Sequence, residues 1–463
     1  MNDRTKSLID IPISRRDAIK AGALAGAMAF LRGAFPGGAF GQGQRPNIIF
    51  ILSDDHRWDY MSCMDHPFLQ TPSMDRLANE GVLFSNAFVT TSLCSPSRAS
   101  FITGRYAHNH GVQNNTTPWN NENVTFMELL KQVGYDTAFI GKWHMPGRLP
   151  ELRGMDRFIT FTIEGGQGRY FNCPLIVDGV DTPSRKPYIT EELTDYALEF
   201  IDQKRNNPFC LYLSHKAVHH QFLPPPELDH LYDDKKMPLP KEADFWFSKT
   251  DGNMLHGLFL PLEHYWRNYC EALIALDQQI GRVLNRLDEL GIADNTVVIY
   301  AGDNGYQWGE HRNMDKRWPY EEPTRIPFIV RCPQLINDPG RRAKQMALNI
   351  DLAPTLLDIA GVTVPEKMDG ESLAPILRSG SAPGRTAWLY EYFKDFPYNV
   401  PASKAVRTNT HVYIEFEGRR PPEIYDLMHD PRQMKNIIDT AEGKQLLPEL
   451  KQTLEDLKMD KRF

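Results

Sequence analysis

Residues 46–52, PNIIFIL, form a continuous run rich in β-branched and aromatic side chains that ends in Ser53-Asp54-Asp55. A strand buried on both faces reads this way, and its carboxyl end here delivers two acids. The pattern recurs. Residues 208–214 lead into His215 and His219, and residues 296–301 lead into Gly302-Asp303-Asn304-Gly305. Between these runs the period changes to that of helices, over 191–204 with Thr190 as its cap and over about 264–290. Alternating strands and helices predict an α/β fold with a mainly parallel sheet covered on both sides. In such sheets ligands bind beyond the carboxyl ends of the strands, where three runs here place acids, amides or histidines. After residue 380 the texture shifts to short antiparallel strands at 386–393, 405–407 and 412–416, then a leucine-spaced helix at 441–459. This predicts a small C-terminal α+β subdomain, residues 381–463, joined through the 380–384 region to a larger α/β domain of residues 44–380.

Composition narrows the function. The 463 residues are enough for two or three domains at about 150 residues each. A formal charge of −7 argues against a nucleic-acid-binding surface, so an anionic substrate needs a local cationic pocket. Six cysteines without a CxxC pair indicate neither a zinc knuckle nor a disulfide scaffold. Residues 1–43 read as a targeting segment. Ser14-Arg15-Arg16-Asp17 precedes a small-residue apolar stretch at 21–31, the layout of a twin-arginine signal and too short for the ~20 residues of a membrane span. The expectation is export to a periplasmic or extracellular space, with no membrane span in the mature chain.

Cys94-Ser95-Pro96-Ser97-Arg98 opens a further segment, with Pro96 in the first turn of a helix and Ser95 as its cap, which sets Cys94 beside a helix N-terminus. This run, with Thr103-Gly104-Arg105 at fixed spacing, resembles the signature of the formylglycine-dependent sulfatases, in which a maturation enzyme converts that cysteine to an aldehyde; Ile102 stands where leucine is usual. The resemblance implies an alkaline-phosphatase-like sandwich with a smaller C-terminal subdomain. It also implies that Asp54, Asp55, Asp303 and Asn304, with the modified Cys94 beside them, hold a divalent cation, usually calcium. Three carboxylates and an amide suit a hard cation on chemical grounds as well, magnesium and manganese included. The implied mechanism uses the hydrated aldehyde: one hydroxyl attacks sulfur, the second expels sulfate.

The other elements of the resemblance name the remaining groups. Arg98 orients the diol. Gly141-Lys142-Trp143-His144 matches the family's GKWH element, with Lys142 on the sulfate and His144 near the nucleophile. His219 is the general acid, with His215 and His220 open as alternatives. Asp315-Lys316-Arg317 places Lys316 on the sulfate and the leaving oxygen. Residues 103–115 look like the corresponding run of N-acetylglucosamine-6-sulfatases and heparan 6-O-sulfatases, which would put His110, Asn114 and Asn115 on the sugar; Arg317 is a further substrate candidate, and Trp308 and Trp318 could stack on a ring. The leading expectation is an exo-acting carbohydrate sulfatase on 6-O-sulfated N-acetylglucosamine or a glycosaminoglycan-like saccharide. A phosphonate monoester or phosphodiester hydrolase of the same superfamily, a sulfatase for another polysaccharide, and a non-catalytic glycan-binding protein with an unconverted thiol are the alternatives.

Overall fold

A computed structural model describes residues 45–147, 153–203, 205–238 and 262–459. The segment expected to be a twin-arginine signal lies outside them.

In the strand β1 (Asn47–Ser53), Ile48 through Leu52 have no exposed surface, because both faces of the sheet are covered. Phe50 packs on Phe101 of the helix Cys94–Thr103, ring centroids 5.3 Å apart. Ile49 and Ile51 point the other way, into a core shared with the long helix Leu262–Glu289. That helix buries Trp266, Tyr269, Leu273, Leu276, Ile280, Val283 and Leu287, one stripe at helical spacing. The alternation along β1 therefore divides two cores rather than a core and solvent, and this is why the sequence reads as a continuous apolar run.

Ten strands make the main sheet. In chain order they are β1, β2 (Val82–Phe88), β3 (Asp136–Gly141), β4 (Arg157–Thr160), β5 (Leu175–Val177), β6 (Val180–Thr182), β7 (Phe209–Ser214), β8 (Thr296–Gly302), and, after a hairpin of β9 (Gln307–Trp308) with β10 (Met314–Asp315), β11 (Phe328–Arg331) and β12 (Arg341–Leu348). Their spatial order is β12-β2-β11-β8-β1-β7-β3-β4-β5-β6. The block β8-β1-β7-β3-β4 is parallel, while β11 enters antiparallel between β2 and β8. A separate antiparallel sheet follows, β13 (Ala387–Tyr392), β14 (Ser403–Thr408), β15 (His411–Phe416) and β16 (Glu423–Asp426), with the helix Ala441–Met459. The predicted α/β class with a small C-terminal sheet is the observed one, and within that C-terminal sheet β16 is the strand the hydrophobic pattern does not announce.

The C-terminal sheet and helix bury Trp388, Tyr390, Val406, Tyr413 and Leu454 in one core with Phe88, Leu93, Tyr106 and Trp318 of the preceding chain, and the described residues pack as one compact unit. Two helix starts differ from expectation. The helix Ile189–Ile201 begins before Thr190, with Tyr188 at the cap position, where the Ile189 amide donates to the Tyr170 carbonyl. The helix Cys94–Thr103 begins at Cys94 with Leu93 as its cap; Ser95 lies inside it, its amide taken by Asn115 Oδ1 and its hydroxyl by the His144 carbonyl.

One glycine sets the approach of β3 to β7. Gly141 pairs with Ser214 at φ 118°, and a Cβ there would stand 1.8 Å from the Ser214 carbonyl oxygen. Gly141→Ala should therefore lower the urea midpoint by more than Gly134→Ala, which shares a positive φ of 93° but faces open space. The left-handed backbone costs each on the order of 1–2 kcal/mol. The clash should cost Gly141→Ala about 1–3 kcal/mol more; equal midpoints would show that β3 and β7 can part freely.

Candidate active site

The strand ends assemble the acids. Register pairs Ser53 of β1 with Gly302 of β8, so the next residues, Asp54 and Asp303, emerge side by side. The Asp303 amide donates to the Ser53 carbonyl at 2.9 Å, and the Asp55 amide to Asp303 Oδ1 at 3.0 Å. Asp55 adopts a left-handed conformation, φ 55°, which breaks the strand's alternation and lets consecutive carboxylates converge. Asn304 Nδ2 donates to Asp55 Oδ1 at 2.6 Å. All four side chains are buried.

The helix Cys94–Thr103 supplies the next layer. Cys94 and Arg98 are one turn apart, hence on one face. The Cys94 thiol donates to Asp54 Oδ1 at 3.6 Å and receives a hydrogen bond from Lys316 Nζ at 3.0 Å. Burial first, then the charge of Asp54, pushes its pKa up against the pull of Lys316, so the unmodified thiol is held protonated. Arg98 is the central clamp. Its guanidinium donates to Asp303 Oδ2 (2.9 Å), Asp54 Oδ2 (3.1 Å), Ser214 Oγ (2.6 Å) and the Lys142 carbonyl (2.9 Å).

Lysines and histidines close the ring. Lys142 follows Gly141 and donates to Asp54 and to Gln167 Oε1, the latter at 2.5 Å. Lys316 donates to Asp55. Burial raises Asp55 to about 7, Lys316 opposes it, and Asp54 and Asp303 add to it. Burial raises Asp303 in the same way, whereas at Asp54 the positive charges led by Lys142 overcome burial and hold the carboxyl well below its usual range. His219 Nε2 lies 3.9 Å from Asp55 Oδ2, and Tyr170 donates to the His219 carbonyl at 2.7 Å. Burial, then Lys142, depresses both His144 and His219. His215 is buried away from the cleft wall, and His220 lines its rim against Tyr265.

Of these groups Asp55, His144, Gln167, His219, His220 and Lys316 line a cleft of about 370 Å³, while Asp54, Cys94, Arg98, Lys142, Asp303 and Asn304 are buried and do not line it. Asn115 and Arg317 line it. Arg317 is held by Asp315 and by Asp395 Oδ2 (3.0 Å), and lies 3.4 Å over the Tyr398 ring. Four sequence-based assignments fall elsewhere. His110 is buried, its Nε2 on Ser100 Oγ (3.1 Å) and its Nδ1 on the Val112 amide (3.1 Å). Asn114 ties two loops through the Lys394 carbonyl (3.0 Å). Trp308 packs on Phe222 and Tyr306, and Trp318 belongs to the core under the C-terminal sheet. Sequence reasoning missed Gln167, Ser214, Asp395 and Tyr398. Asp395 and Tyr398 follow β13 and sit within the motif-poor C-terminal region, so only the fold brings them here.

The donor set suits a hard cation. Asp54, Asp55 and Asp303 each offer an oxygen within 4.8 Å of the others, and Asn304 Oδ1 is buried without a hydrogen-bond partner. Three carboxylates packed together with an unused amide oxygen match the all-oxygen sites of calcium.

The family model described as Sulfatase matches residues 46–362, and that of the N-sulphoglucosamine sulphohydrolase C-terminal region matches residues 309–460. An N-acetylglucosamine-6-O-sulfatase of Bacteroides thetaiotaomicron is 33% identical, the alignment spanning 89% of this chain and 86% of that protein. Human N-acetylglucosamine-6-sulfatase is 30% identical over 87% of this chain and 83% of its own length. A solved protein in complex with its substrate D-glucosamine-2-N,6-O-disulfate superposes with a TM-score of 0.83 at 32% identity, covering 90% of this chain and 99% of that one.

Removing Arg98 leaves Asp54 and Asp303 buried with less countercharge. Arg98→Ala should cost about 3–5 kcal/mol in urea unfolding. Arg157→Ala, which loses only an open pair 3.7 Å from Asp178, should cost under about 1 kcal/mol. Similar losses for the two would remove Arg98 from its central place.

Proposed function

The chain belongs to the sulfatase family, and from that premise we propose that it releases the 6-O-sulfate of N-acetylglucosamine or glucosamine residues in a glycosaminoglycan-like saccharide. It is a sulfuric ester hydrolase of the alkaline-phosphatase-like fold. The substrate reading is carried by similarity over nearly the whole chain to a protein named for that ester, at 33% identity. The site residues are read as follows, together with export through the twin-arginine-type segment to a periplasmic or extracellular space.

Calcium held by Asp54, Asp55, Asp303 and Asn304 would supply Lewis-acid polarisation beside residue 94. Formylglycine, made from Cys94 by a maturation enzyme, would supply the geminal-diol nucleophile. Arg98, fixed on four partners, orients that residue from one helical turn away. Lys316, which lines the cleft, and Lys142, buried on Asp54, supply two ammonium groups to the site where sulfate oxygens would gather charge, and such prepositioned charge is typically the largest catalytic contribution. His144 lies beside the nucleophile through its contacts with Ser95. His219 serves as the general acid. Burial first, then the charge of Lys142, pushes its imidazole toward the neutral form, and the negative charge of a bound sulfate ester would shift it back toward the protonated one. Asn115 and Arg317 hold the sugar.

The acid role predicts a leaving-group effect. His219→Ala should lower kcat/KM on a sugar 6-sulfate by about 10²–10⁴-fold. On 4-nitrophenyl sulfate, whose leaving oxygen needs no proton, the loss should be less than about tenfold; equal losses would move the acid to another residue.

The substrate is tested by inorganic sulfate release from saccharides sulfated at single positions, with phenyl phosphonate as a further substrate and Cys94→Ala and a chelator as controls. Release confined to 6-O-sulfated glucosamine ends, lost in both controls, is the expected result. Faster hydrolysis of the phosphonate, or release only from other positions, would overturn the substrate reading.

A further inference from the structure

The cleft's volume of about 370 Å³ is near the small end of ligand sites, which run from about 300 to 1,000 Å³. It has room for one sulfated ring, so a ring linked to it must lie at the mouth. Exposure rises sharply along the wall: Asp55 is 1%, Lys316 2% and Arg317 3% exposed, whereas Phe396 is 82% exposed. Phe396 is the one aromatic among the large hydrophobic side chains left exposed in the described residues, and the only one of them that lines the cleft.

A lone exposed apolar side chain is ordinarily unremarkable. Here the backbone on either side is fastened. Asp395 is buried, grips Arg317 at 3.0 Å and accepts the Asn115 amide at 3.3 Å. The Tyr398 amide donates to the Asp395 carbonyl at 2.9 Å, and Asn114 holds the Lys394 carbonyl at 3.0 Å. The ring is thus presented at the mouth by a loop fastened to Arg317 and Asn115, which line the cleft, and to Asn114 beside it.

We propose that Phe396 is the platform of a second sugar subsite, stacking on the ring glycosidically linked to the sulfated residue. The inference rests on the carbohydrate reading above. The face of an aromatic ring carries partial negative charge and attracts the C–H face of a pyranose. A phenyl group offers nothing to a sulfate, so this subsite recognises the ring's apolar face and is indifferent to sulfate on the second sugar.

The test compares kcat/KM for N-acetylglucosamine 6-sulfate with that for disaccharides carrying the same ring glycosidically linked to a second hexose, plain or sulfated. Wild type should prefer both disaccharides to a similar degree. Phe396→Ala should narrow that preference about three- to tenfold, mainly through KM. Phe396→Trp should keep it, and Phe396→Leu, with bulk but no π face, should lose it. Thermal midpoints equal to wild type show that the variants are folded. A preference untouched by Phe396→Ala, or none in wild type that turns over the monosaccharide, overturns the subsite alone. Sulfate release from none of these compounds overturns the glucosamine reading and the subsite with it.

Discussion

Burying several charges in one place is the constraint around which this molecule is arranged. Asp54, Asp55 and Asp303 lie at the carboxyl ends of two adjacent parallel strands with almost no access to water. Isolated carboxylates there would cost far more than a fold's net stability, so each must be answered by a cation or a donor. Arg98 answers two of them and also fastens Ser214 and the Lys142 carbonyl. One guanidinium thereby ties the helix Cys94–Thr103 to β1, β7, β8 and the end of β3. The planar fork of an arginine can do this where the point charge of a lysine cannot.

That arrangement explains what the sequence discloses. Strands sealed on both faces must be apolar throughout, so β1, β7 and β8 announce themselves, as do the polar residues that end them. Cys94, Arg98, Lys142 and Lys316 stand in motifs because their spacing along single elements sets their geometry. What stays hidden depends on packing between distant parts of the chain. His110 and Asn114 lie in the run most suggestive of substrate contact, yet one is satisfied inside the core and the other joins two loops. Trp308 and Trp318 are large aromatics near the motifs, and burial claims both. The helix starts at Cys94 and Ile189 shift because Ser95 and Thr190 find or fail to find partners only in three dimensions.

The C-terminal sheet is where local reading reaches its limit. Nothing in the residues after β13 carries a chemical signature, but Asp395 and Tyr398 embrace Arg317 from that side. The shared core of the sheet with Phe88, Leu93 and Trp318 holds this loop at the height of the cleft. The buried acidic cluster and the outer wall of the cleft thus come from different stretches of chain, joined by apolar burial.

The complete burial of Cys94 bears on the order of events in the protein's life. Its sulfur has no exposed surface, with Asp54 on one side and Lys316 on the other, and the helix it opens is buried at every residue. No second protein could grasp this thiol in the finished fold without prising the helix from the sheet. Any enzymatic oxidation at this position therefore belongs to the nascent or still extended chain, in a race against collapse. If Cys94 is converted as proposed, a molecule that folds first is shut out of that conversion. On that reading the yield of competent protein would follow the timing of synthesis rather than the stability of the product.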